Sequence, residues 1–208
     1  MTDRAHAKPP DLREACVAEA YRIIAEQGVE QLSLREVARR LGVSHQAPYR
    51  HFPSRDHILA EVIARAYDDF ATWLNDRPAT DDAFADLGAM GRAYLDYAVA
   101  RPLHYRLMFG TPLPAAEQHP TLLEKARHAF AILRERLSTM TLRPLGGTVP
   151  APADDALFVW ASLHGLAMIL QADVLRTLEL PVPEPAHLRR HVMGRIGQAL
   201  APEGEPRC

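Results

Sequence analysis

The chain has 208 residues, of which 48% are hydrophobic and 24% charged, so it can bury one substantial core or two smaller ones. A formal net charge of −2 excludes a strongly basic protein that binds polyanions through net charge alone. No run of about 20 uncharged apolar residues, no apolar signal segment and only two cysteines in unrelated contexts predict a reduced cytoplasmic protein without a membrane span, metal or cofactor.

Basic residues are concentrated near the N-terminus. Residues 1–58 hold nine Lys and Arg against eight Asp and Glu, whereas the remainder holds fifteen against eighteen. Between Arg35 and His57 there are five arginines and three histidines against two carboxylates. Because local charge attracts a polyanion more than net charge does, this stretch is the candidate surface for nucleic acid.

The first helix is predicted from its two ends. Residues 1–10 are predicted to be a loose arm, and the capping-box spacing from Asp11 to Glu14 then opens a helix that runs to about Gln27. Gly28 follows at the position where a helix commonly ends. The apolar residues of this helix recur on one face, which we expect to be buried.

A second capping-box spacing, Ser33 to Glu36, opens a short helix that is predicted to end before Gly42. Ser44 is the candidate cap of a third element, residues 44–52, which we call the recognition segment. Pro48 would be the fourth helical residue of this segment and has no amide hydrogen. We therefore expect the third element to be short or tightened.

Two short helices around a glycine turn are typical of a helix-turn-helix, whose second helix enters the DNA major groove with its N-terminal end first. Gln46 on the first turn can bond an adenine edge in two places, while Tyr49, His51 and Arg55 suit phosphate oxygens. Ser54 starts the next helix, whose free amides offer a further phosphate site. Spacing alone leaves a second possibility open, a plain helical hairpin with a polar face.

Over roughly residues 11–66 the chain resembles the TetR family of bacterial transcriptional regulators. The resemblance is carried by Leu32, Ser33, Arg35, Val37, Ala38, Leu41, Gly42, Val43, Ser44, Tyr49, His51, Phe52, Ser54, Arg55, Asp56, Ile58 and Leu59. The family more often has Lys at the position of Arg55 and Leu at that of Pro48, which makes Pro48 a packing residue more than a contact. Together with the two cap serines, the DNA-binding residues that the resemblance implies are Arg35, Ser44, His45, Gln46, Ala47, Tyr49, Arg50, His51, Ser54 and Arg55.

Helical periodicity continues through the remainder of the chain, and no strand pattern longer than a few residues occurs. The predicted helices run from Ser54 to about Arg77 before Pro78, from Thr80 to Arg101, from His104 to Phe109, from Thr121 to Thr139, from Ala153 to Leu178 and from Pro185 to Leu200. The predicted fold is all-α with about nine helices. Its predicted parts are a helix-turn-helix domain at residues 1–58, a regulatory and dimerisation domain at 59–200 and a flexible tail at 201–208.

A second, looser resemblance lies in the C-terminal half. Trp160, His164 and Gly165 fit the signature of the WHG domains of the same family, and residues 102–110 also resemble that subclass. In TetR-like proteins the last two helices meet their twins in a four-helix dimer interface. The resemblance therefore implies interface roles for Gly165, Leu175, Leu188, Val192 and Ile196. Glycine inside a helix costs stability and is tolerated where helices approach closely, although packing within one chain is the alternative.

The middle of the chain offers candidates for a ligand pocket, because apolar walls with a few polar tips suit a small organic molecule. The candidates are Phe70, Tyr94, Tyr97, His104, Tyr105, Met108, Phe130, Trp160, His164 and Met168. The alternative is that aromatic and methionine residues at helical spacing simply form the core. His187 and His191 can share a helix face, but no carboxylate or cysteine accompanies them at metal-ligand spacing, and no catalytic motif occurs.

These features favour a homodimeric transcriptional repressor that binds double-stranded operator DNA and is released by a small hydrophobic effector. It would act in the bacterial cytoplasm and associate with the nucleoid when bound to DNA. Two alternatives are an architectural or protein-recruiting DNA-binding factor without a small ligand, and an all-α enzyme with a vestigial DNA head. The enzyme would need a catalytic constellation that the sequence does not contain.

Overall fold

The computed structural model describes residues 11–76, 80–144, 151–172 and 184–201, and within these ranges it contains helices and no strand. The α-helices are α1 (Leu12–Gln27), α2 (Leu34–Leu41), α3 (Arg55–Asn75), α4 (Ala83–Ala100), α5 (Pro102–Phe109), α6 (Pro120–Ser138), α7 (Pro152–Gln171) and α8 (Pro185–Leu200). Short 3₁₀ helices lie at Val29–Gln31, Pro48–Arg50 and Ala116–Gln118. The all-α prediction is confirmed, with eight α-helices in the described ranges.

The ends of α1 are set by the residues that predicted them. The Asp11 carboxylate accepts the Arg13 amide at 3.0 Å, so it satisfies one of the free donors at the start of the helix. Gly28 ends the helix at φ 92°, a backbone angle that a side chain would strain. Both predicted ends of this helix are therefore confirmed.

The capping box at the start of α2 forms only half of its predicted bonds. Ser33 Oγ accepts the Glu36 amide at 3.2 Å, but the Glu36 carboxylate accepts from Arg39 and Arg40 at 2.6 to 2.9 Å. Hydrogen bonds from these two guanidinium groups lower the pKa of Glu36 to about 2. Gly42 ends α2 at φ 67°, in the left-handed region that favours glycine.

The later helices begin within three residues of their predicted starts, the largest difference being at α4, which begins at Ala83 rather than Thr80. The Asp82 carboxylate accepts an amide of the first turn of α4 at 2.8 Å. α5 begins at Pro102 rather than His104, because proline is well suited to a first helical turn. The predicted ends of α3 at Arg77 and of α7 at Leu178 lie outside the described residues.

The described residues divide into two compact units. The head unit contains residues 11–66 and 106–125, and the helical unit contains residues 67–76, 80–105, 126–144, 151–172 and 184–201. The helices α3, α5 and α6 each contribute residues to both units. The functional boundary at residue 58 stays a prediction.

Ion pairs link the helices of the head unit. Its buried core includes Ile23, Leu32, Val37, Ile58 and Ile63. Arg40 on α2 donates to Glu26 of α1 at 2.7 Å, and Arg65 on α3 donates to Glu14 of α1 at 2.7 Å. These contacts join both α2 and α3 to α1.

A distant stretch of the chain completes the head unit. The His119 ring is buried and meets the His57 ring edge-on at a centroid distance of 4.8 Å. The two histidines line a cavity of about 220 Å³, together with residues of α1 and α3 and with Leu122. Residues 118–122 therefore pack against the same helices that hold the helix-turn-helix.

In the helical unit, α4 contributes Tyr94 and Tyr97 to the core. α8 approaches α4 closely at Gly91, where a Cβ atom would lie 2.6 Å from Cε of Met193. A Cβ atom at Gly165 would meet no described residue within 4 Å, so packing against the described part of the chain does not require glycine there. Among the residues that the structure describes, no close approach is made at Gly165.

The helix α7 is unusually apolar for its exposure. It is the one described helix that is long and apolar enough to cross a membrane by length and composition, with a mean hydropathy of 1.3, whereas the sequence predicted no such span. Only 28% of the 18-residue stretch of α7 with this hydropathy is buried within the chain. Leu157, Phe158, Met168 and Ile169 are its exposed large apolar residues.

Candidate nucleic-acid interface

The recognition segment folds as a tight turn, as predicted. The Ala47 amide donates to the Ser44 carbonyl at 2.9 Å, and the His51 amide donates to the Pro48 carbonyl at 3.0 Å. Both bonds span three residues, the spacing of a 3₁₀ helix. Proline explains the first of these bonds, since residue 48 has no amide to donate to the Ser44 carbonyl. Ser44 therefore contributes its carbonyl, and the cap position of the 3₁₀ helix is Ala47.

Two buried residues hold the recognition segment to the head unit. Pro48 and Phe52 are both in the core, and the Phe52 amide donates to the Pro48 carbonyl at 2.9 Å. The Arg13 guanidinium lies 5.5 Å from the centre of the Phe52 ring. With these anchors inside, the polar side chains between and before them face outward.

The outward side chains form one surface. His45, Gln46, Tyr49, Arg50 and His51 are all exposed, Tyr49 at 43%. Arg35 of α2 is exposed as well, and with His45, Gln46 and Tyr49 it lines an open concavity of about 500 Å³. The structure thus brings a residue of α2 together with three residues of the recognition segment.

The arginines of this surface differ from the other arginines of the head unit in their hydrogen bonds and ion pairs. Eight arginines lie within residues 11–66. Six of them bond to carboxylates or carbonyls: Arg13, Arg22, Arg39, Arg40, Arg55 and Arg65. Arg35 and Arg50 are the two that make no hydrogen bond or ion pair to any residue the structure describes. Their positive charge is available to a ligand outside the chain.

Arg55, which the sequence predicts as a phosphate contact, also forms hydrogen bonds inside the head unit. Its guanidinium donates to the carbonyls of Val29 at 2.7 Å and Leu32 at 3.1 Å. A third donor reaches the adjacent Asp56 carboxylate at 3.3 Å, so removal of Arg55 would disturb the fold as well as any contact with DNA. Ser54 is half-buried, with its hydroxyl 2.8 Å from Nδ1 of His57.

Most of the predicted pocket residues meet in the helical unit. The hydroxyl of Tyr105 lies 2.7 Å from His164 Nδ1 and 3.0 Å from the hydroxyl of Tyr94. We call these three residues the tyrosine–histidine cluster. Aromatic neighbours surround it: Phe70 beside Tyr94, Trp160 beside His164, and Phe130 beside Trp160.

Burial keeps the tyrosine–histidine cluster uncharged. It raises the pKa of Tyr94 to about 12 and raises the pKa of Tyr105 further, while it lowers the pKa of the His164 imidazole. Neutral hydroxyl and imidazole groups that exchange hydrogen bonds can also bind the polar end of an otherwise apolar molecule.

The remaining pocket candidates lie elsewhere. Tyr97 donates to Asp69 at 2.9 Å, and His104 lies 3.6 Å from the same carboxylate. Asp69 was not a candidate, because no local pattern shows that α3 places it beside α4. Met108 is buried in the head unit, and Met168 is 41% exposed on α7, so neither lies in the tyrosine–histidine cluster.

The predicted dimer residues differ in exposure. Gly165, Leu188 and Val192 are half-buried within the chain. Ile196 is only 3% exposed, which leaves it little surface to offer a second chain. Leu175 lies outside the described residues.

No group of three His, Cys, Asp or Glu residues that could hold a metal ion occurs within the described ranges. His187 and His191 are exposed on α8, with nearly parallel rings whose centroids are 6.5 Å apart. Nothing else in the described part of the chain joins them as a third ligand.

One buried histidine, His119, and two half-buried ones, His104 and His164, predict a dependence of stability on pH. Burial lowers the pKa of His104, of His119 and of His164, and His57 lowers that of His119 further. The unfolded chain then binds more protons, so their contribution to stability is complete above about pH 6.5 and is lost as the pH falls below it. We expect the melting temperature to decrease as the pH is lowered from about 7 to about 5.

The check is a thermal melt at each pH for the wild type and for His119→Gln, which should show a smaller decrease. His45→Gln, at an exposed position, is the control and should keep the full pH dependence. A melting temperature that rises on acidification would contradict the role of these histidines.

Two family models match the chain. Residues 17–62 match the bacterial regulatory proteins of the tetR family, and residues 87–193 match the tetracyclin repressor-like C-terminal domain. The first match contains the recognition segment. The second contains the tyrosine–histidine cluster and all of α7.

One relative is the HTH-type transcriptional regulator Rv1816 of Mycobacterium tuberculosis, to which this chain is 35% identical over 122 residues. These residues make up 54% of this chain and 51% of that protein, so the chain spans about half the length of such relatives.

Solved structures extend the likeness to nearly the whole chain. A protein of unknown function from Rhodococcus sp. RHA1 superimposes with a TM-score of 0.78 at 24% identity, over 96% of this chain and 100% of that one. The transcriptional regulator FadR from Bacillus subtilis, in complex with stearoyl-CoA, superimposes with a TM-score of 0.65 at 14% identity, over 90% and 99%. At these identities the likeness shows the fold.

Proposed function

Because this chain belongs to the TetR family of bacterial regulatory proteins and is a DNA-binding transcriptional regulator, we propose that it is a homodimeric repressor released from its operator by a small molecule. Its relatives are transcriptional regulators rather than enzymes. The proposed place of action is the cytoplasm, on the nucleoid when the protein is bound to DNA.

One observation supports DNA contact by the recognition segment and α2. The exposed side chains there have no partner among the described residues, whereas the other arginines of the head unit are all engaged. We assign base reading to His45 and Gln46 and phosphate binding to Arg35 and Arg50. Tyr49 and His51 flank these residues and would bind the sugar–phosphate backbone.

Gln46→Ala is the direct test of base reading. We expect the affinity for the best site to fall by about 5- to 100-fold, because a good bidentate base contact contributes that much discrimination. Affinity for unrelated duplex should stay unchanged. The measurement is a mobility shift at fixed salt on the intergenic DNA upstream of the chain's own gene, followed by base-substituted variants of the bound site.

Gln31→Ala is the matched control, since Gln31 is an exposed glutamine of the same unit outside the concavity. The control should bind every variant as the wild type does. If Gln46→Ala ranks all base-substituted sites in the wild-type order, Gln46 does not read a base.

The exposed face of α7 supports the homodimer. Leu157, Phe158, Met168 and Ile169 leave an apolar surface on a helix that also packs against α8. Apolar surface of this kind on a regulatory protein marks an interaction site, and a second copy of the chain is its proposed partner. Half-buried Leu188 and Val192 of α8 would border the interface.

The tyrosine–histidine cluster supports an effector site. Its uncharged polar groups lie among aromatic side chains, and a neighbour of the same fold binds stearoyl-CoA. An effector releases DNA only if it binds the DNA-incompetent state more tightly than the competent one; a hundredfold preference corresponds to about 2.7 kcal/mol.

Stearoyl-CoA and shorter acyl-CoA thioesters are the first probes of the effector site. A compound that binds the native state raises the melting temperature, and an effector must also weaken the mobility shift. A panel that does neither would favour an architectural or protein-recruiting factor without a small ligand.

A further inference from the structure

Pro48 follows a residue, Ala47, whose backbone conformation is unfavourable before proline. The residue before a proline is normally excluded from the right-handed helical region, yet Ala47 has φ −63° and ψ −46°. Pro48 itself is fully buried, so the head core surrounds its ring. Tertiary packing therefore holds this proline in place against its local preference.

The missing amide of Pro48 decides the hydrogen bonding of the recognition segment. In an α-helix the Ser44 carbonyl would accept from residue 48, which has no hydrogen to donate. It accepts from Ala47 instead, at 2.9 Å, and the Arg50 amide donates to the Ala47 carbonyl at 3.3 Å. Two three-residue bonds therefore follow one another, before the four-residue bond from the Phe52 amide to the Pro48 carbonyl closes the segment.

A 3₁₀ turn aims its side chains differently from an α-helix. It advances about 120° and 2.0 Å per residue, against about 100° and 1.5 Å in an α-helix. Over the two steps from Pro48 to Arg50 the difference reaches about 40° in direction and about 1 Å in height. Tyr49, one step from Pro48, is displaced by about half as much.

We propose that Pro48 is a specificity-determining residue: it holds the recognition segment in a 3₁₀ turn and so sets which base edges Gln46 and its neighbours reach together. The proposal rests on the DNA-reading role proposed above for this segment. Pro48 contacts no base itself, so it acts as a positioning residue.

Base contacts are more sensitive to this geometry than phosphate contacts. Relative to Tyr49 and Arg50, which bind the DNA backbone, Gln46 shifts by up to about 1 Å, a large part of the hydrogen-bonding distance range, so a pair of base bonds is not kept. A flexible arginine can follow a phosphate over the same displacement, because its contact is mainly electrostatic. Base preference should therefore change while the salt dependence does not.

The experiment is selection of bound sites from a randomised duplex library by full-length wild type, Pro48→Ala and Pro48→Val. Both substitutions restore the amide, one with a smaller and one with a larger side chain, so one of them can fill the core if the other destabilises it. Circular dichroism and thermal melting establish that each variant is folded. Pro53→Ala, at an exposed proline just beyond the segment, is the control.

We expect the folded Pro48 variants to enrich a different motif and to bind the wild-type motif about 10- to 100-fold more weakly, as expected for the loss of one or two base contacts. Their slope of log affinity against log salt should equal that of the wild type. Pro53→Ala should select the wild-type motif.

Two outcomes would overturn the proposal in distinguishable ways. If the wild type and Gln46→Ala enrich the same motif, base reading by this segment fails and the inference fails with it. If Gln46→Ala relaxes the motif but the Pro48 variants select it unchanged, only the inference fails, and Pro48 is a packing residue without influence on specificity.

Discussion

Replacing Arg35 and Arg50 together by alanine is expected to lower the affinity for every duplex, by roughly a thousandfold for a dimer at about 0.1 M salt. Each lost phosphate contact reduces the slope of log affinity against log salt by about 0.9, so four contacts in a dimer should reduce it by about 3.6. The sequence preference of the residual binding should be retained. Fluorescence anisotropy over a salt series measures both quantities.

The control is the double variant Arg22→Ala and Arg39→Ala. These two arginines are also exposed but are paired with Glu19 and Glu36, respectively. The control removes the same charge from the head unit, so its affinity should fall far less. An equal loss in both double variants would mean that overall charge, and not the position of Arg35 and Arg50, attracts DNA.

Phe158→Asp is expected to convert the protein into a monomer. A carboxylate placed in the centre of an apolar interface would lose its hydration without gaining a partner. Light scattering after size exclusion measures the mass. Affinity for a two-half-site operator should fall by about 100- to 10,000-fold, because the second head no longer binds at a high effective concentration. Affinity for a single half-site should stay unchanged.

Val99→Asp provides the matched control for the dimer surface. Val99 is an even more exposed apolar residue, on α4 of the same unit. It should leave the protein dimeric. A Phe158→Asp variant that stays dimeric would remove α7 from the interface, and a wild type that is monomeric at every concentration would remove the homodimer from the proposed function.

Local signals in the sequence were enough to locate most helix ends. Asp11, Ser33 and Asp82 accept amides of the turns that follow them, and Gly28 and Gly42 end helices at positive φ. Each of these devices works within about four residues, so a sequence pattern contains all of it. The tightened recognition segment was predictable for the same reason, since the missing amide of proline acts on its own turn.

Roles that depend on distant residues were not predictable in this way. The partners of Arg55 are the carbonyls of Val29 and Leu32, which no pattern near Arg55 identifies. The pocket candidates were chosen by residue type, and only the packing of α4, α5 and α7 shows that Tyr94, Tyr105 and His164 bond to one another. Burial of Ile196 likewise depends on which side of α8 meets the core.

The head unit is built from two separate stretches of the chain, residues 11–66 and 106–125. This affects any attempt to exchange DNA specificity between regulators. A chimera joined by a single splice near residue 60 would carry His57 without His119 and would leave its side of their shared cavity open to solvent. The transplantable module is therefore discontinuous. Both the recognition segment and residues 118–122 have to be transplanted if the transferred head unit is to keep its stability along with its DNA specificity.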